Sequence, residues 1–294
     1  MNFLKKHLGE ISVVLATVFW GCISLYSRTM NQNGFTAVQT VAVRAVITSV
    51  LLGVLMLIKD RSLFRIRLRD LWMFLGSGIC SFLFFNVCYM SSIAENSVSV
   101  ACVLMYTSPF WILLLSVPLF KERITWQSIV SLTLALGGCV MLCAAGEVKL
   151  TQIGLVFGLL SGVGYALYSI FGKLASRRYS TLTITFYTFL FAAVAILPFC
   201  DLPALGTLLQ QSTNVALSLG IAVTNTIIPY MLYTYGLSKV TAGKASILSI
   251  SEPVVATLVG TIFFNELLGW QGYLGILLTF AGLIILQYKP KHTA

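Results

Sequence analysis

Ten windows of this chain, each about twenty residues long, run with almost no charge, and at ~1.5 Å per residue each can cross a hydrocarbon core of about 30 Å. They are Ile11 to Met30, Thr36 to Ile58, Leu71 to Ile93, Ser97 to Phe120, Thr125 to Ala145, Gln152 to Ala175, Thr181 to Phe199, Thr213 to Leu237, Thr241 to Phe264 and Gly269 to Tyr288. The runs are continuous rather than alternating, and lipid offers a backbone N–H or C=O no partner, so each window is expected to be an α-helix. The expected fold is an all-α integral membrane protein with ten transmembrane helices. Composition agrees, since 58% hydrophobic and 10% charged residues leave too little polar surface to cover a water-soluble globule.

The net charge of +10 raises the question of a nucleic-acid partner, and the placement of the charges answers it. Sorted by alternating loops, one side carries Lys5, Lys6, Lys59, Arg61, Arg65, Arg67, Arg69, Lys121, Arg123, Lys173, Arg177, Arg178, Lys239, Lys244, Lys289 and Lys291, sixteen of the nineteen Lys and Arg. The other side has Arg28 and Lys149, and Arg44 lies inside a span. That bias is a topology signal which puts both termini in the cytoplasm, and no nucleic acid is needed to explain it. The first apolar run has no small-residue cleavage site after it and reads as span one rather than a cleaved signal. The seven cysteines fall in spans or at their edges without a His at metal-ligand spacing, and His7 and His292 sit in the tails. No metal and no cofactor are expected.

A shift of 144 residues matches Tyr89 to Tyr233, Ala101 to Ala245, Pro109 to Pro253, Glu122 to Glu266, Trp126 to Trp270, Gln127 to Gln271, Gly138 to Gly282 and Leu142 to Leu286. A shift of 145 matches Trp20 to Tyr165, Tyr26 to Phe171 and Arg28 to Lys173. The chain is thus expected to be two five-helix repeats, residues 1–147 and 148–294. Five is odd, so the second repeat enters the membrane inverted, with "KERIT" cytoplasmic and its partner "NELLG" external. Inverted repeats place a solute site near the bilayer midplane between the two units and work by alternating access.

These features resemble the drug/metabolite transporter superfamily, and within it the EamA type. The likeness rests on ten spans in two units, on "VFWGCISLYSR" in span one, and on a twice-used pattern of mid-span proline, about ten apolar residues and an acidic loop residue. That pattern runs from Pro109 to Lys121-Glu122-Arg123 and from Glu252-Pro253 to Asn265-Glu266-Leu267. Asn265-Glu266-Leu267-Leu268 departs from the family's usual Gly-Glu-Arg-Leu-like sequence at that point. The resemblance implies a plasma-membrane (bacterial inner-membrane) carrier of small polar or amphipathic metabolites, often an exporter of amino acids. Uptake of a quaternary amine or nucleoside-like solute is the alternative.

A charge at the bilayer centre costs about 2.5–3.5 kcal/mol on insertion scales, so it is expected to face the interior beside a partner. Glu252 lies about eleven residues, roughly 16 Å, into span nine. It is both the proton-coupling candidate and a solute-binding candidate. The other reading is a buried ion pair or hydrogen bond that only locks span nine, with Arg44 of span two as the obvious partner; Arg44 is also a solute-binding candidate. Neither charge repeats, since Glu252 aligns with Ser108 and Arg44 with Phe189. Trp20, Tyr89, Tyr106, Tyr165 and Tyr230 are candidate cavity walls, because such rings combine an apolar face with one hydrogen-bonding edge; an interfacial belt or core packing is the competing reading. Asn86 and Asn225 read as solute contacts or as interhelical glue. Pro109 and Pro253 are candidate helix-breaking, gating positions. Gly154, Gly158 and Gly162 in span six suit close helix packing, and the basic loop from Lys59 to Asp70 suits anionic headgroups.

No GxxxxGK[ST] loop is present, so direct drive by ATP is not expected, which leaves proton coupling through Glu252 or facilitated diffusion. No paired carboxylates or His cluster stand at an interface, so an enzyme is not expected; a non-transporting sensor is the remaining class. The expected partners are the lipid bilayer, a small solute and protons, and the chain suits a monomer or a homodimer equally.

Overall fold

The structure, a computed structural model, describes residues 2–143, 151–265, 267 and 269–287. Ala145, the repeat boundary 147/148, Lys149, Glu266, Leu268, Tyr288, Lys289, Lys291 and His292 lie outside the described residues. Those described form helices and no strand. Nine helices are long and apolar enough to span a bilayer: His7–Gln32, Ala37–Lys59, Leu68–Glu95, Val98–Phe120, Gln152–Ala175, Thr181–Phe199, Ser212–Lys239, Ala242–Phe264 and Trp270–Gln287. The apolar helix Trp126–Cys143 stands between the fourth and fifth of these and completes ten. We number them spans one to ten in chain order. Three run a few residues beyond the expected windows into polar flanks, His7–Gln32, Leu68–Glu95 and Ser212–Lys239, whereas the spans that start at a side-chain cap begin within one residue of the expected window.

Those caps explain where the helices begin. Thr36, Ser97, Thr151, Ser180 and Thr241 each stand just before a helix, and each side chain accepts the backbone N–H three residues on. Thr36 and Ser180 are 144 residues apart, as are Ser97 and Thr241. Backbone irregularities repeat in the same way. Spans three and eight contain π-helical turns at Gly76–Leu83 and Val223–Ile227. Spans four and nine each break near their middle, after Met105 and after Ser249, and restart with a proline as the second residue, Pro109 and Pro253. Both restarted helices end on a left-handed residue, Lys121 at φ 57° and Asn265 at φ 53°. Side chains other than glycine reach that region at a cost of about 1–2 kcal/mol. That both copies adopt it at matching positions marks one chain path used twice.

Packing obeys the same exchange. Span three lies along span six as span eight lies along span one, while the pairs two with seven and five with ten each map onto themselves. In the five–ten crossing Gly138 faces Gly275, and Ser131 faces Gly282, whose carbonyl accepts the Ser131 hydroxyl. A Cβ added at Gly138 would stand 2.6 Å from the Gly275 carbonyl, so only glycine permits this approach. Gly154, Gly158 and Gly162 of span six are filled against Asn96, Leu104 and Thr107 of the first repeat, which makes them packing residues.

Loop contacts separate the two faces. On the basic face, Arg178 pairs with Asp70 at 2.7 Å, the Tyr179 hydroxyl donates to the same carboxylate, and Tyr187 donates to the Phe64 carbonyl. On the other face Asn33 donates to Asn214, and the Asn96 side chain accepts the Thr151 N–H. Loops expected on the same side meet, which is the alternation that ten successive crossings require.

Replacing Gly138 with Leu is expected to force spans five and ten apart at an overpacking cost of about 1–3 kcal/mol. Thermal unfolding in lipid nanodiscs should show a midpoint several degrees lower. Val140→Leu, at a lipid-facing position on the same helix, should leave it unchanged.

Candidate functional site

The two symmetry-related pairs, spans three with six and eight with one, enclose the centre of the molecule, and all four contribute rings. Trp20 stands edge-on to Tyr230 at 5.2 Å and to Tyr165 at 6.4 Å, and tilted on Tyr233 at 5.3 Å. Tyr230 is also edge-on to Tyr168 at 4.9 Å and to Phe82 at 6.1 Å, and Phe85 meets Tyr165 at 5.3 Å. These rings, with Ser81 and Ser169, line a cavity of about 20 Å³, room for about one water molecule. The π turns help aim them. Each adds a residue to one turn and so rotates the helix beyond it by about 100° against the α-helical register. Two phenols are held by hydroxyls across the span six–span eight contact: Tyr168 with Thr234 at 2.7 Å, and Tyr233 with Ser169 at 2.8 Å.

Glu252 is the first residue of the restarted half of span nine. Pro253 has no N–H to give the Ser249 carbonyl, so the helix stops there and begins again. The carboxylate sits in the first turn of the new helix, where the aligned peptide dipoles favour negative charge. It is only partly buried, and it accepts the Tyr165 hydroxyl at 3.2 Å. Tyr106, at the matching break in span four, lies within electrostatic reach of the same carboxylate. Ser251, in the break itself, is tied to Thr17 of span one at 2.7 Å.

Arg44 is buried in span two and turned toward span eight. Its Nε donates to the Thr226 hydroxyl at 3.0 Å and an Nη to the Asn225 carbonyl at 3.4 Å, both in the π turn, and the guanidinium lies 5.8 Å from the Phe82 ring centre. No ion pair joins Arg44 to Glu252 among the described residues, so the structural-lock reading of that pair is not the arrangement found. A path of ring contacts, Phe82 to Tyr230 to Trp20 to Tyr165, leads from one charge to the other.

The remaining candidates divide. Asn86 is buried and donates to the Phe82 carbonyl of its own helix, and Asn225 donates to the Phe19 carbonyl and so joins span eight to span one. Asn225 acts here as interhelical glue, while Asn86 serves the backbone of its own helix and joins no second span. Tyr89 stacks on Phe85 at 5.7 Å, outside the cavity lining. Pro109 and Pro253 mark the two breaks. Phe82, Phe85, Ser81 and Ser169 line the cavity without having been singled out in the sequence, where nothing distinguishes them from other span residues. Thr226, one of two threonines flanking Asn225, carries the signal of a polar cluster inside a span.

Comparison with known proteins places this architecture. A protein described as an uncharacterized transporter from Archaeoglobus fulgidus is 29% identical over 297 residues, 96% of this chain and 97% of that one. A second so described, YxxF of Bacillus subtilis, is 26% identical over 99% of this chain and 93% of its own. An S-adenosylmethionine uptake transporter from Rickettsia bellii is 28% identical over 142 residues, 48% of this chain and 47% of that one. A solved crystal structure shares the fold at a TM-score of 0.80 over 95% of this chain and 96% of its own, with 16% identity. The EamA-like transporter family matches twice, over residues 7–144 and again over 152–288, and this chain belongs to it.

Proposed function

We propose that this membrane transporter is a secondary carrier, working outward, of small zwitterionic or amphipathic metabolites of the amino-acid kind. The observation that carries the proposal is a pair of opposite charges left apart at the midplane. Glu252 is held by the Tyr165 phenol with Tyr106 nearby, and Arg44 by a hydroxyl and a carbonyl, with aromatic rings between. A zwitterion offers an ammonium group to the first, a carboxylate to the second and an apolar body to the rings. The water-sized cavity is then a collapsed state which the solute expands by displacing the Tyr165 hydroxyl from Glu252.

Movement follows from the inverted repeat. The two five-span units rock about the span five–span ten and two–seven contacts, so that the chamber opens to one face and then the other. The basic face is the cytoplasmic one by the positive-inside rule, with both termini on that side. Glu252 is the proton-coupling group, because it is the acid that a solute ammonium must meet. Proton and solute compete for it, and exchange of one for the other links a proton gradient to export. The chain does no covalent chemistry on its solute. A second reading, uptake, is favoured by the Rickettsia bellii relative, whose solute is an amino acid carrying an additional cationic centre.

Purified protein in liposomes is expected to show counterflow of labelled amino acids, with the pH gradient fixing net direction. Glu252→Gln should abolish the pH dependence and raise the half-saturating concentration of an amino acid about 10- to 100-fold, the loss of one charge-assisted bond of about 1.5–3 kcal/mol. Full proton-driven flux in that variant would end the coupling proposal.

Arg44→Met should weaken zwitterionic solutes by a similar factor and leave a carboxylate-free quaternary amine untouched. Equal effects on both classes in competition assays would rule out a carboxylate contact at Arg44.

A further inference from the structure

Under the 144-residue shift, span nine starts at Ala242 on the basic face as span four starts at Val98 on the other. The two starts are capped alike, by Thr241 and Ser97, but their surroundings differ. Val98 is 60% exposed, whereas Ala242 is 0% exposed and every residue from Ala245 to Ser251 is buried. The half-helix that begins at Ala242 is thus covered at the basic face, while its counterpart at Val98 starts exposed.

What covers Ala242 is Glu122, the acidic residue just past the left-handed end of span four. Its Oε1 accepts the Ala242 N–H at 2.8 Å and its Oε2 the Gly243 N–H at 3.1 Å. With Thr241 serving Lys244, the first three N–H groups of the helix Ala242–Ser249 are all satisfied, two of them by the opposite repeat. A carboxylate at a helix N-terminus gains from both hydrogen bonding and the helix dipole. Around it the closure is reinforced: Lys244 pairs with Glu10 of span one at 2.5 Å, and Lys173 of span six donates to the Leu237 and Val240 carbonyls. Rocking of one repeat against the other cannot open the basic face while Glu122 bridges spans four and nine.

We propose that Glu122 is the latch of the basic-face gate: its bidentate hold on Ala242 and Gly243 favours the state closed to that face and must release for the central site to open there. Glu122 touches neither the ring cluster nor Glu252, so it is a positioning residue, acting through the half-helix Ala242–Ser249. The inference rests on the alternating-access reading, and the test separates the two.

Full-length protein with its native cysteines replaced and one reporter, Ser246→Cys, is reconstituted in vesicles and exposed on the basic face to a membrane-impermeant maleimide. Ser246 is buried on the gate half-helix. Glu122→Ala is expected to speed labelling at least fivefold, with Glu122→Gln, which keeps the side chain's shape and one acceptor oxygen, falling between. A control cysteine at buried Ser161 should not change. Unchanged Ser246→Cys labelling in a variant that still catalyses amino-acid counterflow overturns the latch and leaves the transport proposal standing. A selective increase in protein without counterflow does the reverse. Equal acceleration at Ser161→Cys means general loosening and also overturns the latch.

Discussion

A helix that stops and restarts inside a bilayer leaves N–H and C=O groups without partners, and lipid supplies none. Spans four and nine both do this, at Met105 and Ser249, and the architecture around them follows from the need to satisfy those ends. Thr107 in one break and Ser251 in the other turn their hydroxyls to the Leu104 and Leu248 carbonyls, and Ser251 also meets Thr17 of span one. The breaks therefore have to lie at the centre of the protein, walled by spans one, three, six and eight, and cannot face lipid. Polar chemistry at the midplane is possible there for the same reason that it is necessary.

The two-fold relation builds the chamber, but departures from it supply its chemistry. Caps, π turns, proline restarts and left-handed ends all recur across the repeats. Glu252 and Arg44 do not: the counterpart of Glu252 is the buried Ser108, and that of Arg44, at the 144-residue spacing of the caps Thr36 and Ser180, is Thr188, a buried residue whose hydroxyl meets Ser77, rather than the expected Phe189. Span one also turns at Cys22 and Ile23, just beyond Trp20, where span six runs unbroken past Tyr165. A symmetric scaffold treats the two faces alike, whereas an acid in one half and a guanidinium in the other would, in the proposed carrier, give a zwitterionic solute a preferred orientation.

The ten spans are legible in the sequence because length and hydropathy are local quantities, and the repeat is legible because side chains at the crossings, such as Gly138 and Gly282, cannot drift without clashing. Span ends are read less well where no cap marks them, as at Leu68 and Ser212, where the helix runs into polar residues beyond its apolar stretch. The π turns leave no compositional mark: "GSGICSFL" and "VTNTI" share no residue pattern, and only the backbone shows the extra residue. That is why the sequence identifies Arg44 as needing a partner and yet cannot name Thr226. Which way Arg44 meets span eight depends on a register shift set by packing. Asn86 and Asn225 were ambiguous for a related reason, because an amide in a span serves backbone and solute with the same atoms.

The halves of span nine connect these themes mechanically. Each begins with a carboxylate at its N-terminus, Glu122 from the opposite repeat at Ala242 and Glu252 from the chain itself at the restart. Between them lies an eight-residue helix, about 12 Å long, which is buried apart from Lys244 and stiff over that length. Moving its start away from Glu122 must move its end at Ser249, and with it the break that sets the direction of Glu252. If Glu122 is the gate latch and Glu252 the solute-binding acid, as proposed, the two are coupled through one rigid element and need no longer chain of contacts between them.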